Sequence, residues 1–197
     1  MTLSEYQQKR NFNKSPEPES KTTIHAEKLI FVVQRHKASH LHYDFRLEME
    51  GVLKSWAIPK GPSLNPSDKR LAMMVEDHPY AYKDFKGIIP PGNYGAGIVE
   101  IWDKGYYTDI GNSGKDAEAK LLKALKAGHL KLVLHGKKLK GEFALVKLKA
   151  KKDKAWLLIK HEDEHAVQEF YSSETDTPKN SPINEWFSRS QEAKKKP

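Results

Sequence analysis

Cysteine is absent from the 197 residues, which removes disulfides, thiolate nucleophiles and cysteine metal ligands together. Long apolar runs are missing too. No stretch approaches the roughly 18 residues that a membrane helix needs, and the opening MTLSEYQQKRNFNKSPEPES has no apolar centre of a signal peptide. No repeat of 20–50 residues is visible. The glycines of GNYGAG follow Pro90-Pro91 and precede a strand pattern, without the lysine-serine pair of a phosphate-binding loop, so they mark a turn. The expectation is a cytoplasmic protein with no membrane contact and no thiol chemistry.

What is plentiful is positive charge. Lys and Arg number 34 against 26 Asp and Glu, giving a net charge of +8 and a pI near 9.4. A basic protein of this size often meets a polyanion. Lysine is spread along the whole chain, however, so charge alone does not separate nucleic-acid binding from ordinary solubility.

The length fits one domain with room for a real core, flanked by two polar segments. Residues 1–27 hold KSPEPESKTT and read as a flexible arm. Residues 171–197 read as a polar tail in which INEWF is a short anchor. Between them, residues 28–170 are mostly β in pattern. LIFVVQ is β-branched and aromatic, LHYDFRLEM alternates, and Glu50-Gly51 reads as a hairpin turn into VLKSWAI. RLAMMVE, IVEIWD and GYYTDI follow, the last two split by a turn at Lys104-Gly105, and then HLKLVLHG, GEFALVKLKA and AWLLIKHE. DAEAKLLKALKAG is the one clear helix, with Asp116 as cap and Gly128 as stop. About eight short strands and one α-helix predict a mainly β fold, closed as a barrel or strongly curved.

Chemistry concentrates in HLHYDFRLEM. His40, His42, Asp44, Arg46 and Glu48 fall on one parity, and Leu41, Tyr43, Phe45, Leu47 and Met49 on the other. A strand sends these to opposite faces. His42 and Asp44 then stand about 6–7 Å apart on one face, and His36 joins them from the preceding strand or loop. Two imidazoles and a carboxylate, with no thiolate, suit Mn²⁺, Fe²⁺ or Zn²⁺ and leave positions open for water and substrate. Arg46, one pleat further, adds a guanidinium that forks onto phosphate or carboxylate. His78 and Tyr82, four apart after a strand, are candidate hydrogen-bond or proton donors. Lys60 and Arg70 flank one loop and are candidates for a phosphate backbone. His25, His129, His135, His161 and His165 have no partners at ligand spacing.

These residues resemble a known family. FVVQRHKASHLHYDFRLEMEGVLKSWAIPKGPSLNP and RLAMMVEDHPYAYKDFKGIIPPGNYGAGIVEIWDKG are similar to the 3′-phosphoesterase domain of the bacterial and archaeal DNA ligase D family, with H-x5-H-x-D-x-R followed by E-D-H-P as the specific pattern. The resemblance implies a compact barrel with an active-site crevice and a Mn²⁺-dependent repair nuclease, Co²⁺ or Zn²⁺ being substitutes. It implies removal of a 3′-terminal ribonucleoside and then of the 3′-phosphate, on a DNA primer-template, to leave a 3′-OH. It makes His36, His42 and Asp44 metal ligands. Arg46, His78 and Tyr82 become the phosphate-contacting and catalytic set, and Lys60 and Arg70 substrate contacts. His40 matches no ligand. In the arm, Arg10 and Glu17 fall on positions that support activity, and Asn11 stands where an aspartate is expected. The family domain usually precedes ligase and polymerase domains, and no K-x-D-G ligase motif occurs here. The expectation is therefore a stand-alone monomer or an excised domain, with a separately encoded ligase and polymerase as natural partners.

Two other readings fit the same residues. His42, Asp44 and His78 mimic the facial triad of a non-haem iron oxygenase. A non-catalytic nucleic-acid-binding barrel would place arginines on phosphates and aromatics on bases.

Overall fold

A computed structural model describes residues 2–19, 28–111, 114–149 and 154–195. Among these residues nine strands form one antiparallel sheet: β1 (Ile30–Lys37), β2 (Leu41–Met49), β3 (Val52–Ile58), β4 (Lys69–Pro79), β5 (Gly87–Ile89), β6 (Gly97–Asp109), β7 (His129–His135), β8 (Lys140–Lys147) and β9 (Ala155–Lys160). The order is β1-β2-β3-β4-β9-β8-β7-β6, and β6 pairs back onto β1, so eight strands close a barrel while the short β5 adds to β6. The mainly β barrel expected from the alternating segments is the fold observed.

Several elements run differently from the sequence pattern. Lys104-Gly105 is no turn: β6 continues through it, bent by an irregularity where Val33 pairs with Asp103 but Gln34 with Ile101. β1 pairs with β6 on both sides of this irregularity, from Ile98 to Tyr106, while β7 pairs with its last residues, Tyr106 to Asp109. β4 reaches Pro79, so His78 lies inside a strand rather than after one. The hairpin turn at Glu50-Gly51 is observed, both residues having positive φ (52° and 77°), as a tight turn between twisted strands requires.

The helix expected near 116–128 is α2 (Ala117–Ala127), ended by Gly128 in the left-handed conformation. Two more helices flank the barrel. α1 (Leu3–Gln8) has only six residues, too few to hold alone. Tyr6, with no exposed surface, is its anchor, and its hydroxyl donates to the Pro18 carbonyl at 2.8 Å. α3 (Pro182–Lys195) starts with proline at its first position. There Ile183 is fully buried and its N–H donates to Glu100, so the expected INEWF anchor is the first half of a helix. Residues 20–27 of the expected arm, with His25, lie outside the described residues. No described helix is long and apolar enough to cross a membrane.

Strand parity separates two faces. Phe31, Val33, Tyr43, Phe45, Leu47, Trp56 and Ile58 join Leu130, Leu132, Leu134, Phe143, Leu145, Trp156 and Leu158 in the main core, which α2 meets through Leu121. The opposite face of β1, β2 and β3 carries Gln34, His36, His42, Asp44, Arg46 and Ser55. A second apolar cluster borders it: Tyr6 of α1, Tyr82, Phe85, Ile89, Leu53 and Val99. The polar face therefore lies on the outside of the barrel sheet, under a roof made by the N-terminal segment and residues 80–95.

Candidate active site

Register assembles the site. β1 and β2 pair so that His36 faces His42, and Gln34 faces Asp44. Asp44 becomes the hub. His36 Nδ1 stands 3.6 Å from Asp44 Oδ2 and His42 Nε2 stands 3.7 Å from Asp44 Oδ1. One donor atom from each residue lies within 4.8 Å of the others.

The far side of each ring fixes its orientation. His36 Nε2 donates to the Gly95 carbonyl at 2.9 Å, and His42 Nδ1 donates to the His40 carbonyl at 3.0 Å. Nδ1 of His36 and Nε2 of His42 therefore face Asp44, and a backbone carbonyl behind each imidazole is the support that metal-binding histidines usually have. Two donors at about 2.1 Å from a shared ion at tetrahedral angles lie about 3.4 Å apart; each imidazole here stands 3.6–3.7 Å from an Asp44 oxygen, a different one in each case. These three residues fit a divalent metal. His40 contributes its backbone alone.

Arg46 is held on three sides. Its Nε donates to Gln34 Oε1 at 2.7 Å, Nη1 to Ser55 Oγ at 2.9 Å and Nη2 to Asp44 Oδ2 at 3.1 Å. A guanidinium has five N–H groups, so one on each Nη is left for an incoming oxyanion. Burial alone would raise the Asp44 pKa, but Arg46 and the two imidazoles outweigh it and hold the carboxyl well below its usual range. Gln34, fully buried, also donates from Nε2 to the carbonyls of Tyr82 (3.0 Å) and Phe85 (2.8 Å), tying the 3₁₀ turn Tyr80–Asp84 to the strand below.

The N-terminal segment completes the site. Arg10 donates from Nε to Glu17 Oε1 at 2.8 Å, from Nη1 to Glu76 Oε1 at 3.1 Å, and from Nη2 to His78 Nε2 at 3.2 Å. Glu17, 4% exposed, also accepts from the hydroxyls of Ser15 and Tyr82. Lys9 binds the other oxygen of Glu76. His78 Nδ1 donates to the Glu76 carbonyl, which leaves Nε2 to accept from Arg10. Burial, then the charges of Arg46 and Arg10, push the imidazole well below its usual pKa. In this arrangement the ring accepts from Arg10 through Nε2 and donates to the backbone through Nδ1. Both its nitrogens are engaged, so it does not complete the oxygenase-type triad with His42 and Asp44. Burial raises the Tyr82 phenol well above its usual pKa, so the hydroxyl keeps its proton.

One crevice of about 220 Å³ is lined by Arg10, Glu17, His36, His42, Asp44, Arg46, His78 and Tyr82. Lys60 and Arg70 are not brought to it. They line a separate groove with Asp68, where Arg70 binds Asp68 and the Tyr171 carbonyl. Asn11 also lies outside: it is exposed, and its Oδ1 accepts the Asn13 N–H at 3.1 Å as a local turn. Sequence reasoning missed Gln34, Ser55 and Glu76. Ser55 shares the outward parity of β3, and Glu76 opens the E-D-H-P element; Gln34 ends an apolar run and gives no signal of its own.

With this geometry in place, comparison with known proteins is specific. A family model described as the DNA ligase D 3′-phosphoesterase domain matches residues 34–147. A Pseudomonas aeruginosa protein named multifunctional non-homologous end joining protein LigD is 46% identical over 167 residues, 83% of this chain and 19% of that protein. The similarly named Mycobacterium tuberculosis protein is 39% identical over 171 residues, 85% of this chain and 21% of its own length. The chain thus spans about one fifth of the curated relatives it matches.

Proposed function

The chain belongs to the DNA ligase D 3′-phosphoesterase domain family, and from that premise we propose that it is a metal-dependent 3′-end-processing enzyme of DNA break repair. It removes a 3′-terminal ribonucleoside, leaving a 3′-phosphate, and removes that phosphate to leave a 3′-OH. The observation that carries this reading is the convergence of three metal-capable donors and a three-point-anchored arginine on one strand face.

His36, His42 and Asp44 would hold the ion, with Mn²⁺ the expected metal and Co²⁺ or Zn²⁺ substitutes. When bound, it supplies Lewis acidity to a phosphate oxygen. Arg46 offers its two remaining N–H groups to the other oxygens, already oriented by Gln34, Ser55 and Asp44, so little reorganisation accompanies charge build-up. Tyr82 presents a protonated hydroxyl, held by Glu17. Arg10 adds a positive charge across the crevice and is itself fixed by Glu17, Glu76 and His78. His78 lines the same crevice and places Arg10. The apolar roof of Tyr6 and Phe85 keeps bulk water from these ion pairs.

The test is a labelled primer-template ending in one ribonucleotide, incubated with Mn²⁺ or with EDTA. Shortening to a 3′-phosphate and then to a 3′-OH is expected with Mn²⁺ alone. Absence of metal-dependent trimming overturns the proposal. Salt-sensitive binding that survives EDTA, without trimming, would favour the non-catalytic binding barrel. Ligase and polymerase partners and a monomeric state belong to the same proposal and are read from co-purification and sedimentation.

A further inference from the structure

The crevice has one aromatic side chain that its chemistry does not use. Tyr94 lines it beside His36 and Gly95 yet is 50% exposed, whereas Tyr82 in the same crevice is 3% exposed. Folding gains little from a phenol left half in water. The loop nevertheless holds it in place. Asn93 N–H and Ala96 N–H close successive turns onto the Pro90 and Asn93 carbonyls, and the Asn93 side chain donates to Pro90 and Lys14. Gly95, at φ +74°, lets its own carbonyl turn back to receive His36 Nε2. The ring and the metal-facing imidazole are thus linked through one short stretch of backbone. Two cations of the N-terminal segment border the ring, Lys9 Nζ at 4.9 Å and Arg10 Cζ at 5.5 Å from its centroid.

We propose that Tyr94 is the stacking platform for the nucleobase of the 3′-terminal nucleotide, the specificity element that seats a DNA end with its phosphate over Arg46. The inference rests on the end-processing reading above and adds what that site binds besides phosphate. A rigid, exposed aromatic at the rim of a cationic phosphate site is how single-stranded ends are gripped, and stacking tolerates any base because every base has a π-face. Little preference among the four terminal bases follows.

The test uses a primer-template with 2-aminopurine at the 3′ terminus, in EDTA so that nothing is cleaved. Wild-type protein should quench its fluorescence on binding. Tyr94→Ala should remove the quench and weaken binding roughly 5- to 100-fold. Tyr94→Phe should restore both, and Tyr94→Leu, bulky without a ring, should not. With an abasic 3′-phosphate end, wild type and Tyr94→Ala should bind alike. An undiminished quench in Tyr94→Ala, or an equal loss of affinity on the abasic end, overturns the inference. Mn²⁺-dependent trimming by the wild type separates the two claims: trimming without quenching sinks the stacking platform alone, and quenching without trimming sinks the enzymatic reading alone.

Discussion

Replacing Gln34 by Leu tests the architecture of the site at a residue that performs no chemistry. The side chain has no exposed surface and makes three bonds: it accepts from the Arg46 guanidinium and donates to the carbonyls of Tyr82 and Phe85. A hydrogen bond to a charged group contributes about 1.5–3 kcal/mol and a neutral one about 0.5–1.5 kcal/mol, and leucine leaves all three partners buried and unpaired. A loss of about 3–5 kcal/mol is expected. For a chain of this size each kcal/mol shifts the melting temperature by about 2–4 °C, so the melting temperature should fall by roughly 6–20 °C. Where the variant is still folded, Arg46 loses one of its three anchors and kcat for 3′-trimming should fall more than KM rises. Circular dichroism melts and initial-rate kinetics on the ribonucleotide-ended primer measure both. A Gln34→Leu protein that melts within 2 °C of wild type with unchanged kcat would refute the view that Gln34 anchors both Arg46 and the 3₁₀ turn.

Other outcomes follow from the same contacts. His42→Ala and Asp44→Ala should each abolish Mn²⁺-dependent trimming, while His165→Ala, in a different groove, should retain it; loss in all three would argue for a general folding defect. Glu76 is held below the usual carboxylate pKa: burial opposes this, but Lys9 and Arg10 prevail. Its stabilisation is therefore fully present above the unfolded value near about 4.3 and is lost as pH falls through the lowered folded value. Protection of the amides in residues 3–10, relative to their intrinsic exchange rates, should fall below about pH 4 in wild type, and should already be low at neutral pH in Glu76→Gln. Asn11→Asp should change neither melting nor trimming, because an aspartate oxygen accepts the same Asn13 N–H; an altered ratio of the two trimming products would show that Asn11 reaches substrate.

Alternation made β2 legible, because one residue in two must face a core, and that placed His42, Asp44 and Arg46 together without any tertiary information. The pairing of His36 with His42 was readable only as an adjacent-strand arrangement; the register that puts them face to face is fixed by the whole β1–β2 hairpin. Tyr6 and α1 were hidden because a six-residue helix has no signal of its own and forms on a surface supplied by β4. Lys104-Gly105 reads as a turn because glycine after lysine is common there, yet both residues pair in regular register with β1. Lys60 and Arg70 flank a loop in sequence, and only three-dimensional placement shows that they line a groove of their own.

The closeness of the metal-capable donors along the chain has a genetic consequence. His36, His42 and Asp44 span nine positions of one hairpin, so the site is encoded almost contiguously. A single-codon insertion between Tyr43 and Asp44 would reverse the parity of everything after it in β2, sending Asp44 and Arg46 toward the apolar interior and Phe45 and Leu47 outward. Substitutions here remove one function at a time. A reading-frame-preserving insertion would remove chemistry and core together, and populations should therefore tolerate length changes in this strand far less than its residue-by-residue variation would indicate.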